Sequence, residues 1–196
     1  SVSAGGIGKS SMLMTEAVAI VTGRDLLGIQ PDESCAVWYW NGEDPYEELQ
    51  RRLLAIADHY GVHPSDLRDR LYVNSGRDTR LVVAKQVRTG VVVMEPVVEA
   101  VKRGIADRNI GLLIIDPFVM SHEVVENDNP AINLVMDVWR RIADETNCAV
   151  ELVHHSRKTN GQEVTDEDAR GGPAQHGAAR SMRALTDTLP VTLRVS

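Results

Sequence analysis

The stretch Ser3-Ala4-Gly5-Gly6-Ile7-Gly8-Lys9-Ser10 decides the reading of this chain. Gly5, Gly6 and Gly8 let successive backbone N–H groups turn inward without side chains in the way. A helix starting near Lys9 aims its partial positive charge at the same point. Lys9 adds a mobile cation and Ser10 a hydroxyl that can ligate a divalent metal ion. Such a loop suits a polyphosphate. The bland alternative is a Gly-rich turn ahead of an ordinary helix, with Lys9 in water. The apolar run that follows, expected as a helix over residues 9–21 and stopped by Gly23, favours the phosphate reading.

Outward from that loop, helical and strand patterns alternate. Residues 34–41 read as a strand rich in aromatic and branched side chains, and 45–60 as an amphipathic helix carrying Leu49, Leu53, Ile56 and Ala57 on one face. A short strand is expected over 71–74, with one or two weak strands over 81–93. A helix with Pro as its first residue is expected over 96–107. Residues 111–116 form a nearly continuous apolar strand, as found where both faces of a sheet are covered. The clearest helix spans 130–147, with Ile132, Val135, Met136, Trp139 and Ile142 at helical spacing. A strand over 148–154, a polar loop over 156–172 and a last helix over 173–185 complete the pattern. Strands separated by helices imply right-handed crossovers and a mostly parallel sheet, flanked by helices on both faces. Ligands bind at the carboxyl ends of such strands.

The chain has 196 residues, 43% hydrophobic and 25% charged, which fits a single α/β domain over 1–196 and excludes a disordered chain. Its longest apolar runs fall far short of the roughly 18 residues a membrane span needs. No basic-then-apolar leader opens it, so a cytoplasmic location and no membrane partner are expected. The net charge of −7 is spread along the chain, without a basic face or arm. Cys35 and Cys148 are too few for a disulfide framework and read as small packed side chains in a reducing compartment. Only Ser1–Ser3 precede the phosphate loop, and residues 190–196 stop on an incipient strand. Both ends therefore look cut, and the first strand truncated.

The opening loop resembles a Walker A motif, G-x-x-x-x-G-K-[ST], with Ser3 in place of the first glycine. A phosphate cradle needs an acidic partner at the end of a neighbouring apolar strand, and Leu112-Leu113-Ile114-Ile115-Asp116 supplies it in the manner of a Walker B strand. Asp116 then stands beside Ser10 around Mg2+. Hydrolysis also needs a group to orient or deprotonate water. Glu43, in Trp40-Asn41-Gly42-Glu43-Asp44-Pro45, sits between a strand and a helix on the same sheet edge. Its alternative role is an acidic helix cap, which Asp44 fits better.

These segments together resemble the RecA-type P-loop ATPase superfamily, and within it the plasmid RepA-type hexameric replicative helicases. The resemblance also rests on Glu126-Asn127-Asp128-Asn129, Arg141-Ile142-Ala143-Asp144-Glu145-Thr146, Val153-His154-His155-Ser156-Arg157-Lys158, Ala169-Arg170-Gly171-Gly172 and Ala179-Arg180-Ser181-Met182-Arg183. It implies a RecA-like fold and ATP contacts along Ala4, Gly5, Gly6, Ile7, Gly8, Lys9, Ser10 and Ser11. It also implies Glu43 as catalytic base, Asp116 as the Walker B carboxylate and His155 as a γ-phosphate sensor. A zinc-binding role for His154 and His155 is the weaker option, because adjacent strand residues point to opposite faces.

An arginine finger is often supplied by a neighbouring subunit. The resemblance favours Arg183 or Arg180, with Arg52 a further candidate, so a homo-oligomeric ring is the expected partner state. It also places single-stranded DNA contacts on the loop carrying Arg157 and Lys158, and on Arg170. Glu163, Asp166, Glu167 and Asp168 oppose those cations, but a six-fold ring multiplies them around a channel. Trp38, Tyr39 and Trp40 read as strand packing rather than base-stacking groups. A switch ATPase acting on a protein partner, and a nucleotide-binding module without hydrolysis, are the competing readings. The Glu43 and Asp116 pair opposes the second of these.

Overall fold

The computed structural model describes residues 2–3, 8–155 and 184–185. Its central element is β6 (Ile110–Asp116), flanked in parallel by β2 (Ala36–Asn41) and β8 (Ala149–Leu152), with β3 (Leu71–Ser75) outside β2. Beyond Val153 the chain resumes as β9 (His154–His155), which pairs in parallel with β1 (Val2–Ser3), itself paired with β10 (Ala184–Leu185). Val153, between β8 and β9, extends the pairing with the β6 segment: its N–H donates to Ile115 O at 3.0 Å and its carbonyl accepts from Phe118 N at 2.7 Å. The strand line therefore runs β3, β2, β6, β8–β9, β1, β10. The strand that feeds the phosphate loop is represented by two residues, paired on both sides.

Alternation along the strands sends side chains to two cores. Leu113 and Ile115 of β6 join Trp40 of β2 on one face, under α4 (Glu95–Asp107) and α5 (Asn129–Thr146). Ile114 joins Val37 and Tyr39 on the other, under α1 (Lys9–Thr22), α2 (Tyr46–Tyr60) and the short α3 (Pro64–Leu67). Helices on both faces of a mostly parallel sheet make this an α/β, RecA-like P-loop fold. The five apolar positions singled out in α5 are all buried, and its start is capped by the Asp128 side chain, which accepts from Ala131 N at 3.1 Å.

The run over 81–93 holds two strands, within the one or two expected, and they form an antiparallel hairpin, β4 (Ala84–Val87) with β5 (Gly90–Val93), to which β7 (His122–Glu123) adds in parallel along β4. Two expectations need correction. Pro45, not Asp44, occupies the N-cap of α2, and no side chain among the described residues caps that end. The helix expected over 173–185 lies outside the described residues except at Ala184 and Leu185, which are a strand. The incipient strand over 190–196 also lies outside the described residues. No helix among the described residues is long and apolar enough to cross a membrane. Cys35 is half-buried and Cys148 buried, both free. Burial pushes the Cys148 thiol up to about 11, so the thiol stays protonated and packs as a small apolar group.

Candidate nucleotide site

Gly8 adopts the left-handed region (φ 78°), a turn that brings the chain into α1 and that other residues adopt only at a cost. Lys9 follows as the first helical residue, and its side chain runs inward rather than into water. Only 5% of Lys9 is exposed, and Nζ donates to the carbonyl of His154 at 2.7 Å. Burial lowers its pKa, while the carboxylates of Asp116 and Glu43 act in the opposite direction. Both acidic residues singled out in the sequence thus lie within electrostatic reach of the loop lysine.

Ser10, one residue along α1, donates from Oγ to Asp116 Oδ2 at 2.7 Å. Asp116 ends β6 on the α1-facing side, as its alternation with Ile114 requires. Register brings a second strand to the same point, since Asn41, the last residue of β2, is the direct partner of Asp116. Period two then puts Tyr39 and Asn41 on the face that bears Asp116. The Tyr39 hydroxyl donates to Asp116 Oδ2 at 2.7 Å, and Asn41 Nδ2 lies 3.4 Å from both that oxygen and the Tyr39 hydroxyl. Burial, and the negative Asp116 beside it, hold the Tyr39 phenol well above its ordinary value. It remains a neutral donor.

Glu43 and Asp44 follow β2 in a tight turn. Asn41 Oδ1 accepts from Glu43 N at 3.0 Å and from Asp44 N at 2.8 Å. On the far side, Arg77 Nε donates to the Glu43 carbonyl at 2.8 Å and Ser75 Oγ to the Asp44 carbonyl at 2.7 Å. Gly42 and Gly76 make this possible: a Cβ on Gly76 would stand 2.7 Å from Gly42 Cα and from Trp40 Cζ2. The Asp44 carboxylate pairs with Arg52 at 2.7 Å, and Arg52 Nε also donates to Glu48 at 2.9 Å.

The structure thus gathers Lys9, Ser10, Asp116 and the Glu43 turn at one sheet edge, with Gly8 and Ser11 at the start of α1. Arg52 is on the neighbouring helix, engaged by two carboxylates of its own chain. His155 contributes backbone to β9. Ala4, Gly5, Gly6, Ile7, Arg157, Lys158, Arg170, Arg180 and Arg183 lie outside the described residues. Among the described residues, no group of three His, Cys, Asp or Glu forms a metal cluster, and His154 packs its ring on Phe118 at 4.7 Å. Tyr39 and Asn41 are the site residues that sequence reasoning missed. Counting back by twos from the strand end at Asn41 was the available signal.

A family model described as AAA domain matches residues 2–161, more than half of the chain and all of the edge just described. The chain belongs to this AAA domain family. The family is one of P-loop ATPases, whose members use a nucleotide and typically Mg2+. In this P-loop ATPase the hard oxygens Ser10 Oγ and Asp116 Oδ2, side by side at 2.7 Å, fit an ion that prefers one or two protein oxygens together with phosphate and water.

Proposed function

We propose that the chain hydrolyses ATP with Mg2+ and uses the cycle to move along single-stranded DNA as a ring-forming replicative helicase. The observation that carries the hydrolytic part is the meeting of Lys9, Ser10 and Asp116 at the sheet edge where the Glu43 turn is clamped. In this reading Lys9 exchanges the His154 carbonyl for a phosphate oxygen. Ser10 and Asp116 would hold Mg2+, which when bound would offset negative charge developing on the phosphates. Glu43 orients and deprotonates the attacking water. His155, at the end of β9, senses the γ-phosphate and passes the change into the segment that carries Arg157 and Lys158.

The DNA and ring parts rest on the resemblance of the later segments to RepA-type helicases. Arg52 is already committed to Asp44 and Glu48, which supports Arg183 or Arg180 as the finger offered to a neighbouring subunit. The acidic residues between Glu163 and Asp168 favour the second reading, a switch ATPase with a protein partner.

ATPase assays with and without single-stranded DNA, on wild type and Glu43→Gln, separate these. DNA stimulation, ring formation with ATP, and a loss of about 100-fold or more in Glu43→Gln with nucleotide binding retained are expected. An ATPase that DNA does not stimulate and that forms no ring is the switch. Unchanged hydrolysis in Lys9→Ala would overturn the site itself.

A further inference from the structure

Asn41 is 1% exposed and uses both ends of its amide. Its oxygen accepts two backbone N–H groups, from Glu43 and Asp44, at 3.0 and 2.8 Å. Its nitrogen faces Asp116 Oδ2 and the Tyr39 hydroxyl, each at 3.4 Å. The partners fix which end is which: two donors on one side require the oxygen there, and a carboxylate on the other requires the NH2. The amide cannot turn over without facing donors with donors and an acceptor with a carboxylate. Asn41 is also locked in register opposite Asp116 by the β2–β6 pairing. One rigid side chain therefore spans from the β6 carboxylate to the backbone of Glu43.

We infer that Asn41 is the positioning residue that fixes Glu43 relative to Asp116, so that the base and the metal-side carboxylate keep one spacing. The inference rests on the hydrolytic reading above. Its chemical content is narrow. The two short bonds from the Asn41 oxygen set the turn, while the longer contacts on the nitrogen side set the orientation of the amide. The Glu43 carbonyl is held independently by Arg77, so loss of Asn41 frees one side of the turn rather than the whole of it.

Asn41→Ala and Asn41→Ser differ by one hydroxyl, and serine can rebuild the turn by accepting the same N–H groups. Two readouts are needed. In nucleotide-free protein, hydrogen exchange at the Glu43 and Asp44 amides is expected to be slow in wild type and Asn41→Ser and fast in Asn41→Ala. In turnover, Asn41→Ala is expected to lose tenfold or more in kcat, with the Kd for a fluorescent ATP analogue within threefold of wild type. Asn41→Ser is expected to recover most of that kcat. Amides that stay protected in Asn41→Ala, or full kcat with the amides exposed, would overturn the proposal. So would kcat and analogue Kd worsening in step in both variants, which is the mark of a merely structural role. If Asn41→Ala does not fold, the outcome rests on Asn41→Ser: amide protection and kcat moving together, with the analogue Kd within threefold of wild type, support the proposal, and either one moving without the other overturns it. A wild type without ATPase activity defeats the hydrolytic reading alone, since the exchange experiment still reports on the turn.

Discussion

At Asp116 a single carboxylate oxygen receives two short hydroxyl bonds, from Ser10 and Tyr39. Ser10 belongs to a motif and was legible in the sequence. Tyr39 was not, because a tyrosine inside the buried run Ala36-Val37-Trp38-Tyr39-Trp40 carries the same signal as its packing neighbours. What distinguishes it is strand phase together with the reach of a phenol: counting back by twos from Asn41 gives the phase, but not that the hydroxyl reaches the Asp116 carboxylate. The same argument covers Asn41, whose role depends on a register partner 75 residues away in sequence. Trp40, by contrast, packs as read, burying its ring while Nε1 donates to Thr79 O at 2.9 Å. Tyr39→Phe removes one short bond to a charged, buried acceptor and keeps the ring. A loss of about 1.5–3 kcal/mol in unfolding free energy is expected, measured by urea denaturation of the nucleotide-free protein. A value within error of zero would mean that the phenol makes no net contribution at Asp116.

The elements with strong signals, α5 and β6, were legible: α5 carries one apolar stripe at helical spacing, and β6 an unbroken apolar run because both of its faces are covered. The weaker ones were legible only in part. The residues of β4 and β5 alternate poorly, and their strand identity comes from pairing with each other and with β7. Asp44 looked like a cap because acids favour helix starts, but an ion pair to Arg52, two turns into α2, outcompetes that position. This pair is partly exposed, so Arg52→Ala is expected to cost no more than about 1 kcal/mol of stability. If Arg183 or Arg180 is the finger, its alanine variant loses on the order of 10³-fold in kcat and Arg52→Ala far less. The reverse ranking in steady-state assays would return Arg52 to the interface. Where β2 and β3 end, backbone meets backbone. Gly76→Ala would force a Cβ within 2.7 Å of Gly42 Cα and the Trp40 ring, neither of which can swing away like a flexible chain end. About 1–3 kcal/mol of destabilisation is expected, with a fall in kcat larger than any change in nucleotide Kd. Wild-type turnover in a destabilised Gly76→Ala would separate packing at this crossing from the placement of Glu43.

Across the whole molecule, the β5–β4–β7 sheet and the nucleotide edge are joined through aromatic contacts centred on Phe118, which follows β6 and packs against both His122 of β7 and His154, at 4.7 Å each. His154 in turn holds Lys9 through its carbonyl. His122 is buried, its Nδ1 accepts from Val124 N at 3.4 Å, and its Nε2 has no hydrogen-bond partner among the described residues. Burial pushes its pKa down from 6.5 to about 4, because a charged imidazolium there would lose its hydration beside an aromatic ring. The unfolded chain therefore binds a proton that the folded chain refuses. The stability associated with a neutral His122 is fully present above pH 6.5 and is lost as pH falls towards 4, amounting to about 3 kcal/mol at the acid limit. Carboxylates lose stability over part of the same range, so the informative quantity is a difference. Unfolding free energies of wild type and His122→Phe, measured by urea denaturation between pH 4 and 8, should differ by a constant above pH 7. Below 6.5 the gap should move progressively in favour of the variant. Parallel curves down to pH 4 would show that His122 titrates normally in the folded protein, and that the Phe118 junction does not exclude charge.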